Sequence, residues 1–231
     1  TPIVAISSTE KISVTTQDGL TLHAIYKASS TPSKPTIIMF HGKAGNAGHR
    51  VFKVKPYVDQ GYGILLSEYR GYGGNVGSPS EEGFYHDGRA YMNWLTQNKN
   101  ITNIVIYGES VGSGTATQMA TEYDIAGLIL EVPFSSLLDV AQNLYFLAPV
   151  KYLIKDPFMN HEKIANINAP LLILHGHKDR IIPYKFAKKL YNHAIEPKTM
   201  IDFPDGGHND LYNFGAHTHI LTFLNTLDTP K

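Results

Sequence analysis

The run Ile104-Val105-Ile106-Tyr107-Gly108-Glu109-Ser110-Val111-Gly112-Ser113-Gly114 leaves this chain few folds to choose from. It begins apolar and rich in β-branched residues, as in a parallel strand buried on both faces. Gly108-Glu109-Ser110-Val111-Gly112 then interrupts it, and Thr115-Ala116-Thr117-Gln118-Met119-Ala120 reads as helix. A strand, a sharp turn and a helix with serine at the apex make the G-x-S-x-G nucleophile elbow. The glycines have a steric reason. The strained turn brings positions 108 and 112 against the neighbouring strand and helix, where a side chain would collide. It lifts the Ser110 hydroxyl clear of the sheet edge and aims the N–H of Val111 at the same space. The plainer alternative is a glycine-rich turn with an ordinary serine, so partners for Ser110 have to be found elsewhere.

The chain around this turn alternates strand with helix. Residues 11–28 alternate apolar and polar about Asp18-Gly19, a hairpin signal that predicts an antiparallel pair at the sheet edge. Thr36 to Phe40 predicts a buried strand, running into His41-Gly42-Lys43-Ala44-Gly45-Asn46. Acyl transfer needs two N–H donors for a developing oxyanion, one after the nucleophile and one from the loop after an earlier strand. Val111 and Lys43 fit these places through their backbone N–H groups, with His41 holding the loop and Asn46 capping the next helix. A helix is expected over 50–60, a strand over 62–69, and a glycine-rich loop from Arg70 to Ser80 at the strand tips. Ser80 caps a helix running to Asn98, on which Asp87 and Arg89 read as packing or ion-pair residues. Ile125 to Val132 predicts another buried strand.

From Pro133 to Asn168 the strand–helix rhythm breaks. Leu144, Tyr145, Phe146, Leu147, Tyr152, Leu153 and Phe158 are set there among prolines and polar residues. An apolar insertion at this point, about residues 134–168, is expected to cover the mouth of the site as a small lid, though the same side chains would also pack on the sheet. Strands follow at 170–174 and 199–203, the first leading to Asp179 and the second to His208, and a helix closes the tail. Ser110, Asp179 and His208 thus each follow a strand, in the chain order nucleophile, acid, base. That order belongs to the α/β-hydrolase arrangement. In it His208 takes the Ser110 proton and Asp179 fixes the imidazole tautomer.

Rivals for these roles are weaker. Asp205 and Asp210 flank His208 in sequence, but near neighbours seldom orient each other's rings. Ser113 lies on the helix, and Glu109 either lines the pocket or supports the turn. The pairs His175/His177 and His217/His219 are spaced i,i+2, a poor chelate on a helix, and no carboxylate–histidine cluster has zinc-site spacing. No metal and no cofactor are expected.

The whole composition is consistent with this. At 231 residues the chain suits one domain over 1–231. Lys+Arg and Asp+Glu both number 20, so no field of one sign favours nucleic acid. There is no cysteine, hence no disulfide framework and no thiolate metal site, which suits a reducing cytoplasm. No run approaches a membrane span. The sequence opens at Thr1, which is compatible with an anchor or signal upstream.

On these motifs the chain resembles the α/β-hydrolase superfamily over nearly its whole length. More narrowly it is similar to the BEM46-like serine hydrolases, which include ABHD13- and ABHD17-type proteins. The resemblance rests on His41-Gly42…Gly45-Asn46, Tyr69-Arg70-Gly71-Tyr72-Gly73, Gly77-Ser78-Pro79-Ser80-Glu81-Glu82-Gly83, the elbow, His175-Gly176…Asp179 and Gly206-Gly207-His208-Asn209-Asp210. Lys43 and Asn75 depart from the family pattern and are expected to alter the pocket rim. The resemblance implies hydrolysis of carboxylic esters or thioesters, including fatty acyl groups on proteins, and for many relatives an N-terminal membrane anchor. The expectation is an α/β-hydrolase fold with a mostly parallel sheet, acting on short-to-medium acyl esters through an acyl-enzyme. Alternatives are an acyl thioesterase or protein depalmitoylase, and a catalytically silent binding module. The expected partners are a small ester or acylated substrate and, peripherally, a membrane surface.

Overall fold

In the computed structural model, which describes residues 6–145, 147 and 149–227, the apolar runs gather into one eight-stranded sheet among the described residues. The strands are β1 (Glu10–Thr15), β2 (Thr21–Lys27), β3 (Thr36–Phe40), β4 (Gly63–Leu66), β5 (Ile104–Glu109), β6 (Gly127–Glu131), β7 (Leu171–Gly176) and β8 (Lys198–Phe203). Their spatial order is β1-β2-β4-β3-β5-β6-β7-β8. β1 and β2 form the expected hairpin, with Thr15 opposite Thr21 and Gly19 in the left-handed region at φ 86°. β2 runs antiparallel to β4, and β4 through β8 are mutually parallel. This is the expected α/β-hydrolase fold.

The helices are α1 (Val51–Val58), α2 (Glu81–Asn93), α3 (Gly112–Glu122), α4 (Leu137–Leu144), α5 (Asn160–Lys163), α6 (Tyr184–His193) and α7 (Ala216–Leu227). Side-chain caps set several starts. Ser80 Oγ accepts from the N–H of Gly83 at 3.1 Å and Ser136 Oγ from that of Asp139 at 2.9 Å. Asn46 Oδ1 accepts from the His49 N–H at 3.2 Å, capping the 3₁₀ turn Ala47–Arg50 that leads into α1. Two boundaries differ from expectation. The strand over 62–69 is only β4, because Ser67 bonds the Met39 carbonyl through both its N–H and its hydroxyl and turns the chain away. The helix to Asn98 leaves α geometry at Trp94 and ends in a π turn, Trp94–Asn98, closed by the Lys99 N–H on the Trp94 carbonyl.

Both sheet faces are covered, and the period-two alternation divides each strand between them. Ile38, Phe40, Ile106, Leu128 and Leu130 pack under α2, α3 and α6 with Tyr91, Met119 and Leu190. Ile37, Met39, Val105, Tyr107 and Ile129 pack on the other face, with Val54 and Tyr57 of α1 and Ile220 and Leu224 of α7. Burying each such side chain stabilises the fold by about 1.5–3 kcal/mol.

This topology also fixes where a site can lie. The chain leaves β3 for β4 on one side, then returns to place β5 on the other side of β3. The crevice beyond the carboxyl ends of β3 and β5 is therefore the switch point of the sheet, the usual ligand site in open α/β folds.

The insertion is divided in character. Phe134, Val140, Val150, Phe158, Ile164 and Ile167 are buried, whereas Leu144, Tyr145, Leu147, Tyr152 and Leu153 are exposed. Phe146 lies outside the described residues. Among the described residues, no helix is long and apolar enough to cross a membrane.

Candidate active site

The elbow closes the gap between β5 and α3 as its glycines require. Ser110 takes φ 52°, a left-handed conformation that disfavours any side chain. Its N–H donates to the Glu131 carbonyl at 2.9 Å, tying the turn to the end of β6. A Cβ on Gly112 would sit 2.0 Å from the Phe40 carbonyl oxygen of β3, and one on Gly108 would sit 2.5 Å from Ala116 Cβ of α3. Strand, turn and helix come together only because both positions lack a side chain.

Ser110, Asp179 and His208 meet across three loops. Ser110 Oγ lies 2.9 Å from His208 Nε2, and His208 Nδ1 lies 2.7 Å from Asp179 Oδ2. A carboxylate only accepts, so Nδ1 carries the ring hydrogen and Nε2 is left to accept from the serine hydroxyl. The other carboxylate oxygen, Oδ1, accepts from the N–H groups of Ile181 and Ile182, both at 2.8 Å. Burial pushes the Asp179 carboxyl up, but the His208 hydrogen bond and charge and the two backbone N–H groups outweigh it and hold it below its ordinary value. Gly176 makes room for this meeting, since a Cβ there would sit 2.2 Å from the Gly206 carbonyl oxygen.

The rival residues are otherwise engaged. Asp205 pairs with Lys178 at the surface, 2.6 Å away, and Asp210 accepts from the Gly207 N–H at 2.6 Å. Ser113 Oγ donates to the Ser110 carbonyl at 2.6 Å. His175 is buried and its Nδ1 donates to the Gly176 carbonyl at 3.0 Å. His177 lies tilted against Tyr184, ring centroids 4.2 Å apart, and His217 and His219 lie against Tyr212 and Phe203. Among the described residues no group of three or more His, Asp or Glu side chains is arranged to hold a metal ion.

The loop after β3 lies directly against Ser110. A Cβ on Gly42 would be 3.3 Å from Ser110 Cβ. The Gly42 N–H is occupied, donating to Glu109 Oε2 at 3.0 Å. Among the described residues, the N–H groups of Lys43 and Val111 have no partner within the protein. His41 secures the loop from below, with Nδ1 donating to the Gly42 carbonyl at 2.7 Å and Nε2 2.9 Å from Glu68 Oε1. Glu68 also accepts from the Ala47 N–H at 2.8 Å. Asn75, expected at the pocket rim, is instead a buried clamp. Its Oδ1 accepts from the His23 N–H at 3.0 Å and its Nδ2 donates to the Glu68 carbonyl at 2.9 Å. Asp87 likewise holds the neighbouring loop, accepting from the N–H and Nε of Arg70 at 2.9 and 2.8 Å.

A buried charge cluster under the elbow was not foreseen from the residues alone. Glu109 accepts from Arg50 Nε at 2.6 Å and Lys53 Nζ at 2.7 Å, and Lys53 also reaches both Glu131 oxygens at 2.8 and 2.9 Å. Burial pushes the Glu109 carboxyl up, but the charges of Lys53 and Arg50 bring it down to about 2. Burial pushes the Lys53 ammonium down, and the two carboxylates more than restore it, leaving it above its ordinary value. The signal lay in Arg50 and Lys53 three residues apart on one helical face, and in a glutamate at the carboxyl end of each of two buried strands. Only the strand order puts those strands side by side, with Glu109 opposite Glu131.

A family model described as "alpha/beta hydrolase fold" matches residues 35–158. An uncharacterized Mycobacterium tuberculosis protein, Rv2307c, is 36% identical over 200 residues, covering 85% of this chain and 71% of its own. The lysophosphatidylserine lipase ABHD12 of Xenopus tropicalis is 33% identical over 198 residues, 77% of this chain, which spans only 51% of that relative. Among solved structures, the Pyrococcus furiosus esterase Pf2001 superposes with a TM-score of 0.80 over 99% of this chain and 97% of its own, at 18% identity.

Proposed function

The chain belongs to the alpha/beta hydrolase fold family, and on that premise we propose that it is a serine hydrolase cleaving carboxylic esters through an acyl-enzyme. The observation that carries the reading is the unbroken hydrogen-bond chain Ser110–His208–Asp179 beside two unpartnered backbone N–H groups. Ser110 Oγ attacks the ester carbonyl while His208 Nε2 takes its proton. The tetrahedral oxyanion is held by the N–H groups of Lys43 and Val111. His208 then protonates the departing alkoxide, and the acyl group stays on Ser110. Water, deprotonated by His208, attacks the acyl carbonyl and releases the acid and Ser110. Asp179 keeps the ring tautomer fixed and stabilises the imidazolium. Each oxyanion donor is worth about 10²–10³ in rate.

The insertion bears on the substrate class. Leu147 and Tyr152 are 88% and 84% exposed, and Leu144, Tyr145 and Leu153 accompany them. Lys151 and Lys155 stand among them, and residues 140–155 contain no Asp or Glu. An apolar, tyrosine-bearing and basic surface suits an acyl chain drawn from an anionic lipid layer. The segment follows β6 and so emerges at the sheet edge that carries Ser110. This supports peripheral contact with lipid and, as a second reading, a single-chain phospholipid ester as substrate, in keeping with the activity named for the ABHD12 relatives. Within the superfamily, the Tyr69–Gly73 and Gly77–Gly83 motifs support the BEM46-like branch.

Hydrolysis of p-nitrophenyl acyl esters across a chain-length series tests the reading, with matched thioesters and a lysophospholipid as further substrates. A rate maximum at short to medium acyl length, lost in Ser110→Ala, is expected. Turnover of thioesters alone would replace the ester reading with a thioesterase. No turnover of any acyl substrate would overturn both.

A further inference from the structure

We propose that Glu109, itself held by Lys53, is a positioning residue for the oxyanion hole, setting the Gly42–Lys43 peptide against Ser110; the inference rests on the roles given above to Ser110, Lys43 and Val111.

The position between Gly108 and Ser110 in the elbow carries no chemistry of its own, yet here it holds a buried carboxylate with three donors. One of them is the N–H of Gly42, at 3.0 Å, the residue immediately before the Lys43 donor. An oxyanion hole works only when its N–H groups already point at the place the negative charge will occupy, within a few tenths of an ångström. Glu109 provides that fixation by accepting the Gly42 N–H. It orients the donor through the backbone and touches neither Ser110 Oγ nor His208.

Glu109 is in turn fixed from two directions. Arg50 Nε, at 2.6 Å, comes from the end of the same loop, so the carboxylate bridges the loop's beginning and its end. Lys53 Nζ, at 2.7 Å, comes from α1 and joins Glu109 to Glu131. Glu109 and Glu131 are paired in register on adjacent parallel strands, so their side chains share one face and would repel without the ammonium between them. The Glu131 carbonyl also accepts the Ser110 N–H at 2.9 Å. One cation therefore couples the residue that aims the Lys43 peptide to the residue that holds the nucleophile's own peptide.

The cluster extends to the turn that follows His208. The Tyr107 hydroxyl donates to Glu131, and the Tyr212 hydroxyl lies 3.3 Å from it and 2.7 Å from that of Tyr57. Tyr212 belongs to the turn Leu211–Phe214 that follows His208. Arg50, Lys53, Glu109 and Glu131 carry two charges of each sign. Burying them is costly unless each is paired, and here each is, so the cluster is rigid and removing one member frees the others.

The test compares wild type, Ser110→Ala, Glu109→Ala, Glu109→Gln and Glu109→Asp for kcat and KM per folded molecule. The best p-nitrophenyl ester serves as substrate, and the folded fraction comes from circular dichroism. Glu109→Ala is expected to lower kcat about 10–100-fold, part of the effect of losing one donor, with KM changed less than about threefold, since the donor acts on the transition state. Glu109→Gln, whose amide oxygen still accepts from Gly42, is expected to recover most of that loss. Glu109→Asp keeps the charge but not the reach, so it falls with Glu109→Ala and decides the matter should the alanine variant not fold. A Glu109→Ala or Glu109→Asp enzyme with kcat within twofold of wild type would overturn the inference. So would a Glu109→Gln enzyme as slow as Glu109→Ala. A Ser110→Ala enzyme as active as wild type would instead overturn the reading on which the inference rests.

Discussion

Strain at the elbow makes an unusual prediction about stability. Consider Ser110→Ala and Ser110→Gly as a pair. Both remove Oγ and its 2.9 Å contact with His208 Nε2, so that loss cancels between them. What remains is the Cβ. At φ 52° it sits in the left-handed region, which costs a non-glycine residue about 1–2 kcal/mol. Glycine relieves that cost but gives back about 0.4–1 kcal/mol through its freer unfolded chain. The net difference favours glycine by about 0.5–1 kcal/mol, whereas inside a regular strand or helix glycine is worse than alanine by roughly 0.5–1 kcal/mol. The sign is therefore diagnostic. For a chain of this size the difference corresponds to a shift of about 1–4 °C in Tm. Urea denaturation at constant m would measure it, with hydrolysis absent from both variants. An alanine variant as stable as the glycine variant, or more so, would refute the idea that the turn holds Ser110 under strain.

Three further outcomes follow from the same geometry. Gly112→Ala places a methyl 2.0 Å from the Phe40 carbonyl oxygen, a backbone atom that cannot move without parting β3 from α3; a loss of about 3 kcal/mol or more is expected in urea denaturation. Asp179→Asn keeps the fold but releases the His208 tautomer, so circular dichroism is unchanged while kcat falls by about 10⁴ in steady-state kinetics. Acid sensitivity is the third. The Glu109 carboxyl is held at about 2 against an ordinary 4.5, so its contribution to stability is complete above about 4.5 and is lost as pH falls toward 2. Urea midpoints measured from pH 6 to pH 2 should show a shallower acid slope for Glu109→Gln than for wild type, and equal slopes would contradict this.

Much of the fold was legible because the local signals agree with the packing. Ile104 to Tyr107 and Thr36 to Phe40 are apolar on both faces because helices cover both sides of the sheet. Asp18-Gly19 marks a real hairpin, and Ser80 a real cap. The meeting of Ser110, Asp179 and His208 was legible as well, because each follows a strand and parallel strands bring their carboxyl ends to one edge. What escaped depends on neighbours that sequence does not order. Glu109 and Glu131 look like unrelated strand ends until β5 and β6 are found side by side. Asn75 reads as one more polar residue in a glycine-rich loop, and its clamp on His23 appears only once β2 is folded against that loop. The shortening of β4 has the same origin, since the Met39 carbonyl that captures Ser67 lies on another strand.

Acylation of Ser110 is the step on which the mechanism depends, and acid-quench peptide mapping detects it. The enzyme is mixed with a p-nitrophenyl acyl ester, quenched in acid during the first turnovers, digested and analysed by mass. The acyl mass is expected on the peptide containing Ser110, present in wild type and absent in Ser110→Ala. An acyl mass on another residue, or steady turnover with no adduct on any peptide, would contradict it.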